Sequence, residues 1–112
     1  MLPRAHRVVR ADDFRRAVRR GRRTTTSHAV LYRLTGEAEG PRFGVIVSKQ
    51  VGGAVVRNRV RRRIQSICAG VLDEVPASDL IVVRALPGAH EVSWDTLRAE
   101  IDDGMRRAVR AA

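Results

Sequence analysis

The residues best equipped for chemistry in this chain are Arg57-Asn58-Arg59-Val60-Arg61-Arg62-Arg63. Five arginines in seven residues offer planar cationic forks, and such forks grip phosphate oxygens two at a time. Asn58 adds a group that can hydrogen-bond a base edge or a ribose hydroxyl, which a purely electrostatic patch does not need. The chemistry this implies is recognition of a polyanion. Groups for bond cleavage are not arranged for it. A nuclease acting alone needs clustered carboxylates for metals, or histidines for proton transfer. Here Asp12, Asp13, Glu37, Glu39, Asp73, Glu74, Asp79, Glu91, Asp95, Glu100, Asp102 and Asp103 fall at helix ends and loops without metal-ligand spacing. They read mostly as solvated surface. His6, His28 and His90 are scattered, and no Ser/His/Asp pattern stands out. The lone Cys68 excludes an internal disulfide and a multi-cysteine zinc site.

The spacing of apolar residues through the basic run places it on a helix, from about Ala54 to Leu72. At roughly 100° per residue from Arg57, the residues Val56, Ile67, Val60, Val71 and Ile64 fall between about 260° and 340°, with Cys68 near 20°. That is one core-facing stripe, with Arg57 at its edge. Asn58, Arg59, Arg61, Arg62 and Arg63 fan over the remaining arc. Like charges three and four residues apart repel, and no acid lies within the run to relieve them. Phosphates would relieve them, with steep salt dependence. The bland alternative, a solvated basic face, does not account for the missing acids or for Asn58. The preceding loop, Ser48-Lys49-Gln50-Val51-Gly52-Gly53, lacks the Gly-Lys-Ser/Thr of a nucleotide P-loop and reads as part of the same surface.

The elements that must position this helix fit one domain over residues 1–112. Net charge is +10 and pI about 11.6, yet 44% of residues are hydrophobic, so the charge rides on a folded body. Of the 22 Lys and Arg residues only Lys49 is Lys. No apolar run approaches the ~18 residues of a membrane span, and no apolar stretch follows the basic N-terminus, so a cytoplasmic protein is expected. Residues 1–10 read as a flexible basic arm. A helix then starts at Asp12 and Asp13, carries Phe14, Ala17 and Val18 inward, and ends at Gly21 in the left-handed position. Thr24 to Ser27 connect. Strands are expected over His28–Leu34, Phe43–Ser48 and Asp79–Arg84, with a turn over Thr35–Pro41. Ser93 caps a last helix with the stripe Trp94, Leu97, Ile101, Met105 and Val109. The order is α-β-β-α-β-α, a small α+β sandwich.

Ser48-Lys49, Val51-Gly52, Ala54 and Arg57-Asn58-Arg59-Val60-Arg61-Arg62 together resemble the signature of the bacterial ribonuclease P protein subunit. Asp13-Phe14, Leu31-Tyr32, Phe43-Gly44 and Asp79-Leu80-Ile81-Val82 follow in the order that family has similar residues. The resemblance implies a mixed sheet with a left-handed βαβ crossover through the basic helix, the opposite of the general rule. It implies an accessory subunit of an endoribonuclease whose catalyst is RNA and which removes the 5′ leader of precursor tRNA. Magnesium would act with the RNA, with no protein ligand assigned and no obligate protein partner. Carried over by position, Arg57, Asn58, Arg59, Arg61, Arg62 and Arg63 would contact ribonuclease P RNA. Phe14, Tyr32 and Lys49 would lie in or near a cleft for the precursor's leader, where aromatic stacking contributes about 1–3 kcal/mol per base. Plain core packing is the alternative for Phe14 and Tyr32. Val18 replaces a frequent second aromatic, Gln50 and Gln65 replace basic residues, and Gly53 replaces a polar one. A structural RNA-binding protein of ribosomal type would share the composition but not the ordered motif. A helix-turn-helix DNA binder is disfavoured by the strands on either side of the basic helix.

Overall fold

Alternation along the strands sorts the apolar side chains into two layers. Val30, Tyr32, Leu80 and Val82 face one side of a sheet, while Ala29, Leu31, Ile81, Val83 and Ala85 face the other. Both faces are covered, which is why Leu80–Val83 is an unbroken apolar run. The computed structural model describes residues 2–36 and 39–110. A 3₁₀ turn, Arg4–His6, precedes helix α1, Ala11–Arg20. Strands β1, Arg22–Thr25, and β2, Ala29–Thr35, form a hairpin, followed by β3, Arg42–Ile46. Helix α2, Ala54–Gly70, and a 3₁₀ turn, Leu72–Glu74, lead to β4, Asp79–Ala85, and helix α3, Trp94–Arg110. The sheet order is β1-β2-β4-β3, antiparallel except for β3 beside β4, so α2 lies on a parallel crossover. Helix α1 packs on one face, α2 and α3 on the other.

The expected α+β class holds, with one strand more than the expected order. Arg22–Thr25 pairs antiparallel with β2, where only a connection was anticipated. The strand escapes sequence patterning because Arg-Arg-Thr-Thr has no apolar alternation; charged residues suit an exposed sheet edge. Residues 2–10 do not extend as a free arm. Leu2 and Val8 are buried, Val8 N donates to Phe43 O at 2.9 Å, and Arg7 bridges Phe43 in parallel, so the segment runs along the β3 edge. Gly21 ends α1 as expected but with φ −70°, not left-handed. A Cβ there would sit 2.4 Å from Ala17 O and 3.2 Å from Arg33 N, so the carbonyl of α1's own last turn, more than β2, is what requires glycine. Ser93 caps α3 through Oγ, which accepts from Thr96 N at 3.1 Å. Part of the expected turn, residues 37–38, lies outside the described residues.

Asp79 departs from the expectation of solvated acids. It is fully buried, and Arg33 on β2 grips it with Nε 2.5 Å from Oδ2 and Nη2 3.3 Å from Oδ1. The same guanidinium donates from Nη1 to Ala108 O at 3.1 Å and Val109 O at 3.3 Å, placing a cation on the last carbonyls of α3. One ion pair thus ties β2, β4 and α3 together. Removing one partner of a buried pair leaves the other charge uncompensated. Asp79→Ala is therefore expected to lower unfolding free energy by about 3–5 kcal/mol, read by urea titration.

Candidate nucleic-acid interface

Helix α2 is oriented by what it buries. Val60, Ile64, Ile67 and Cys68 are buried and Val56 is partly so, which is the expected stripe. Asn58, Arg59 and Arg62 are exposed, while Arg57, Arg61 and Arg63 are half-buried along the stripe's margins. Among the described residues none of these arginines has an ion-pair partner. Arg57 Nε is also buried without a hydrogen-bond partner among them. Ala54, Val55, Arg57, Asn58 and Arg61 line a shallow hollow of about 420 Å³, and Val55 stands 74% exposed at its rim.

Several arginines elsewhere are paired with acids. Arg15 and Arg16 pair with Asp12 and Asp13 on α1, Arg33 with Asp79, Arg98 and Arg107 with Asp102 and Asp103 on α3, and Arg106 with Glu74. The acids therefore neutralise other surfaces and leave α2 uncompensated. No group of three or more His, Cys, Asp or Glu among the described residues could hold a metal ion. His28 is engaged too, its Nδ1 lying 2.9 Å and 3.0 Å from the two carboxylate oxygens of Glu100.

The second surface lies beside α1. Phe14, Arg15, Val18, Arg19 and Ile46 line a groove of about 330 Å³. Phe14 is half-buried over Gly44, where a Cβ would come within 2.5 Å of the ring. Glycine at that point of β3 is what admits the aromatic. Val18, at the position of the family's frequent second aromatic, forms part of the wall. Tyr32 is not available as a stacking face: it is 3% exposed, and the Arg23 guanidinium lies 5.9 Å from its ring centroid. It supports the groove from within the core. Lys49 is exposed in the loop before α2 and does not line the groove. Arg84 was not singled out from sequence. It is the exposed position in the otherwise buried β4, on the groove's face, and a lone charge in an apolar run was the available signal.

The family model described as Ribonuclease P matches residues 2–109. The chain belongs to the ribonuclease P protein family. It is 51% identical to the ribonuclease P protein component of Clavibacter michiganensis, over 98% of each chain. It is 41% identical to that of Mycobacterium tuberculosis, over 100% of this chain and 97% of the other. The solved Staphylococcus aureus RNase P protein is 25% identical with TM-score 0.81, covering 92% of this chain and 94% of that one. The Thermotoga maritima RNase P protein, at 22% identity, shares the fold with TM-score 0.80 over 90% and 96%. As a ribonuclease P protein, the chain has an RNA-binding role in tRNA 5′ processing with ribonuclease P RNA and precursor tRNA. It forms part of an endoribonuclease complex. No helix among the described residues is long and apolar enough to cross a membrane.

Cys68 takes no part in this chemistry. Burial under α2, with the Asp102 charge nearby, pushes its thiol up to about 12. Below that pH the nucleophilic thiolate is scarce. At pH 8 the folded protein should resist a thiol-specific disulfide reagent, and stoichiometric reaction should appear only on unfolding in urea.

Proposed function

We propose that within ribonuclease P this protein supplies binding and the RNA supplies the chemistry. Arg57, Asn58, Arg59, Arg61, Arg62 and Arg63 of α2 dock on ribonuclease P RNA. The observation that carries this reading is the conjunction on one helix of a buried apolar stripe and a cationic face with no acid partner among the described residues. The stripe holds the helix backbone in place, so fewer degrees of freedom are lost when phosphates arrive. Arg57 Nε gives the same face a donor still to be satisfied. The groove beside α1 receives the single-stranded 5′ leader, with Phe14 as the stacking surface, Val18 and Ile46 as apolar walls, and Tyr32 as support from the core. Lys49 meets phosphates from the loop ahead of α2.

RNA-borne catalysis is supported by the donor set on the protein. Guanidinium and ammonium groups have no acceptor for a metal, and most of the acids are engaged with arginines or histidine. The residues of the α2 surface do not fit magnesium. Phosphate oxygens of the RNA do, and we assign the required magnesium to them. The cytoplasm is the compartment in which we place the complex.

Purified protein added to a bacterial ribonuclease P RNA at low magnesium should stimulate removal of the leader from precursor tRNA. Absence of stimulation would sink the proposal. Arg59→Ala with Arg62→Ala should weaken binding to the RNA and reduce the log–log salt slope by about 1.4–1.8 for two lost phosphate contacts. An unchanged slope would show that these side chains do not meet phosphates.

A further inference from the structure

Strand β1 ends the sheet order β1-β2-β4-β3, so one of its edges has no strand beside it. Register shows which backbone groups lie on that edge. Thr26 N donates to Ala29 O at 2.8 Å, and Thr24 and Arg22 follow at two-residue steps, opposite Leu31 and Arg33. Residues in this phase turn their N–H and C=O groups towards β2. Arg23 and Thr25 alternate with them and turn theirs outward. Thr25 O is met there by Arg107 Nη2 of α3 at 3.4 Å, as that phase requires. The Arg23 N–H, the Arg23 C=O and the Thr25 N–H have no partner among the described residues. The edge therefore presents donors and an acceptor at the two-residue repeat of an extended chain, about 6.8 Å.

The same edge is cationic. Arg20, just ahead of the strand, and Arg22 and Arg23 within it are exposed. Arg20 and Arg23 have no acid partner among the described residues. The Arg23 guanidinium is held 5.9 Å from the ring centroid of Tyr32, which keeps its charge on the α1 side of the sheet. Arginines on an open edge deter pairing with a like strand. A second copy of this chain, pairing β1 to β1, would set these arginines against one another. Nucleic acid would satisfy the arginines, but phosphate oxygens only accept hydrogen bonds and would leave the Arg23 C=O without a donor. An acidic peptide in extended form meets all of these groups, because its backbone carries donors and acceptors at the same repeat.

We propose that β1 is a docking edge for an extended acidic segment of a partner protein, which adds to the sheet antiparallel to β1. A carboxylate residue of the segment exchanges both backbone bonds with Arg23 and lies beside its guanidinium on the α1 side. The residues flanking it point to the other side, next to Thr24, where β-branched side chains pack well. The edge is remote from the basic helix. Helix α2 packs against β3, at the opposite end of the sheet from β1. The protein therefore holds RNA on α2 and a protein partner on β1 at the same time.

The probe is a short peptide of alternating glutamate and valine, capped at both ends, titrated into the isotope-labelled full chain and followed by amide resonances and hydrogen exchange. On binding, the Arg23 and Thr25 amides should become protected, while the Thr24 amide, already bonded to β2, should keep its rate. Shifts without protection of those two amides would mean loose electrostatic contact and overturn the proposal. Methylating the peptide's glutamate nitrogens, which face β1, should weaken binding about tenfold. Methylating the valine nitrogens, which face away, should leave it unchanged, and equal loss from both overturns the proposal. Lysine in place of glutamate should abolish binding. Thr25→Pro removes an edge N–H without touching the ladder to β2, a position where proline is tolerated, and should also weaken binding about tenfold. Should that variant fail to fold, the methylated peptides make the same test on the unaltered protein. Arg23→Gln should weaken binding and Arg23→Lys should restore part of it. Ribonuclease P RNA added to the protein should leave peptide affinity as it was. Displacement of the peptide by that RNA, or protection of the same amides by an oligouridylate of matched length instead of the peptide, assigns the edge to nucleic acid and overturns the proposal. Protection that rises with protein concentration in the absence of peptide assigns it to a second copy and overturns it equally.

Discussion

Burial of one face of α2 is the constraint on which the functional surface depends. Val60, Ile64, Ile67 and Cys68 pack into the layer shared with α3 and the sheet. Each large apolar side chain among them contributes about 1.5–3 kcal/mol. The helix has little else to hold it. Its N-cap, Gly53, makes no side-chain hydrogen bond, its first turn has no acid, and its arginines repel one another. An isolated segment of this kind would be marginal in water. Tertiary packing makes the helix, and packing only one face leaves the guanidiniums no direction but outward.

Charge is distributed to match. The acids sit where they neutralise arginines of α1 and α3, or where, as with Asp79, they hold elements together. This separates two uses of the same residue type. Arg33 is a structural cation whose donors are divided between Asp79 and the end of α3. Arg59 and Arg62 are exposed and unpaired among the described residues. Composition alone cannot tell these apart, since a guanidinium looks the same in both settings.

Glycines and aromatics at the groove depend on distances between segments far apart in sequence. Gly44 is needed because Phe14, thirty residues earlier, lies on it. Gly21, by contrast, is needed mainly because Ala17 O, in the last turn of α1 itself, lies where a Cβ would go. The two aromatics read as stacking candidates separate for the same reason. Phe14 sits at the edge of α1 and reaches the groove, whereas Tyr32 lies on a central strand beneath the helix and is covered.

What could be read from the chain by itself was whatever repeats at a local period. The facing of α2 was legible because apolar residues recur with the helical repeat and arginines fill the rest. The α3 stripe and its Ser93 cap were legible for the same reason, and the ordered motif around Arg57-Asn58-Arg59 was enough to indicate the family. Beyond that reach were β1, the docking of residues 2–10, the buried Asp79, the covered Tyr32 and the exposed Arg84. Arg22–Thr25 becomes a strand only because β2 offers it an edge, and Leu2 and Val8 are buried only because β3 lies beside them. Each of these is settled by a neighbour distant along the chain, and a contact of that kind leaves no periodicity in the sequence to read.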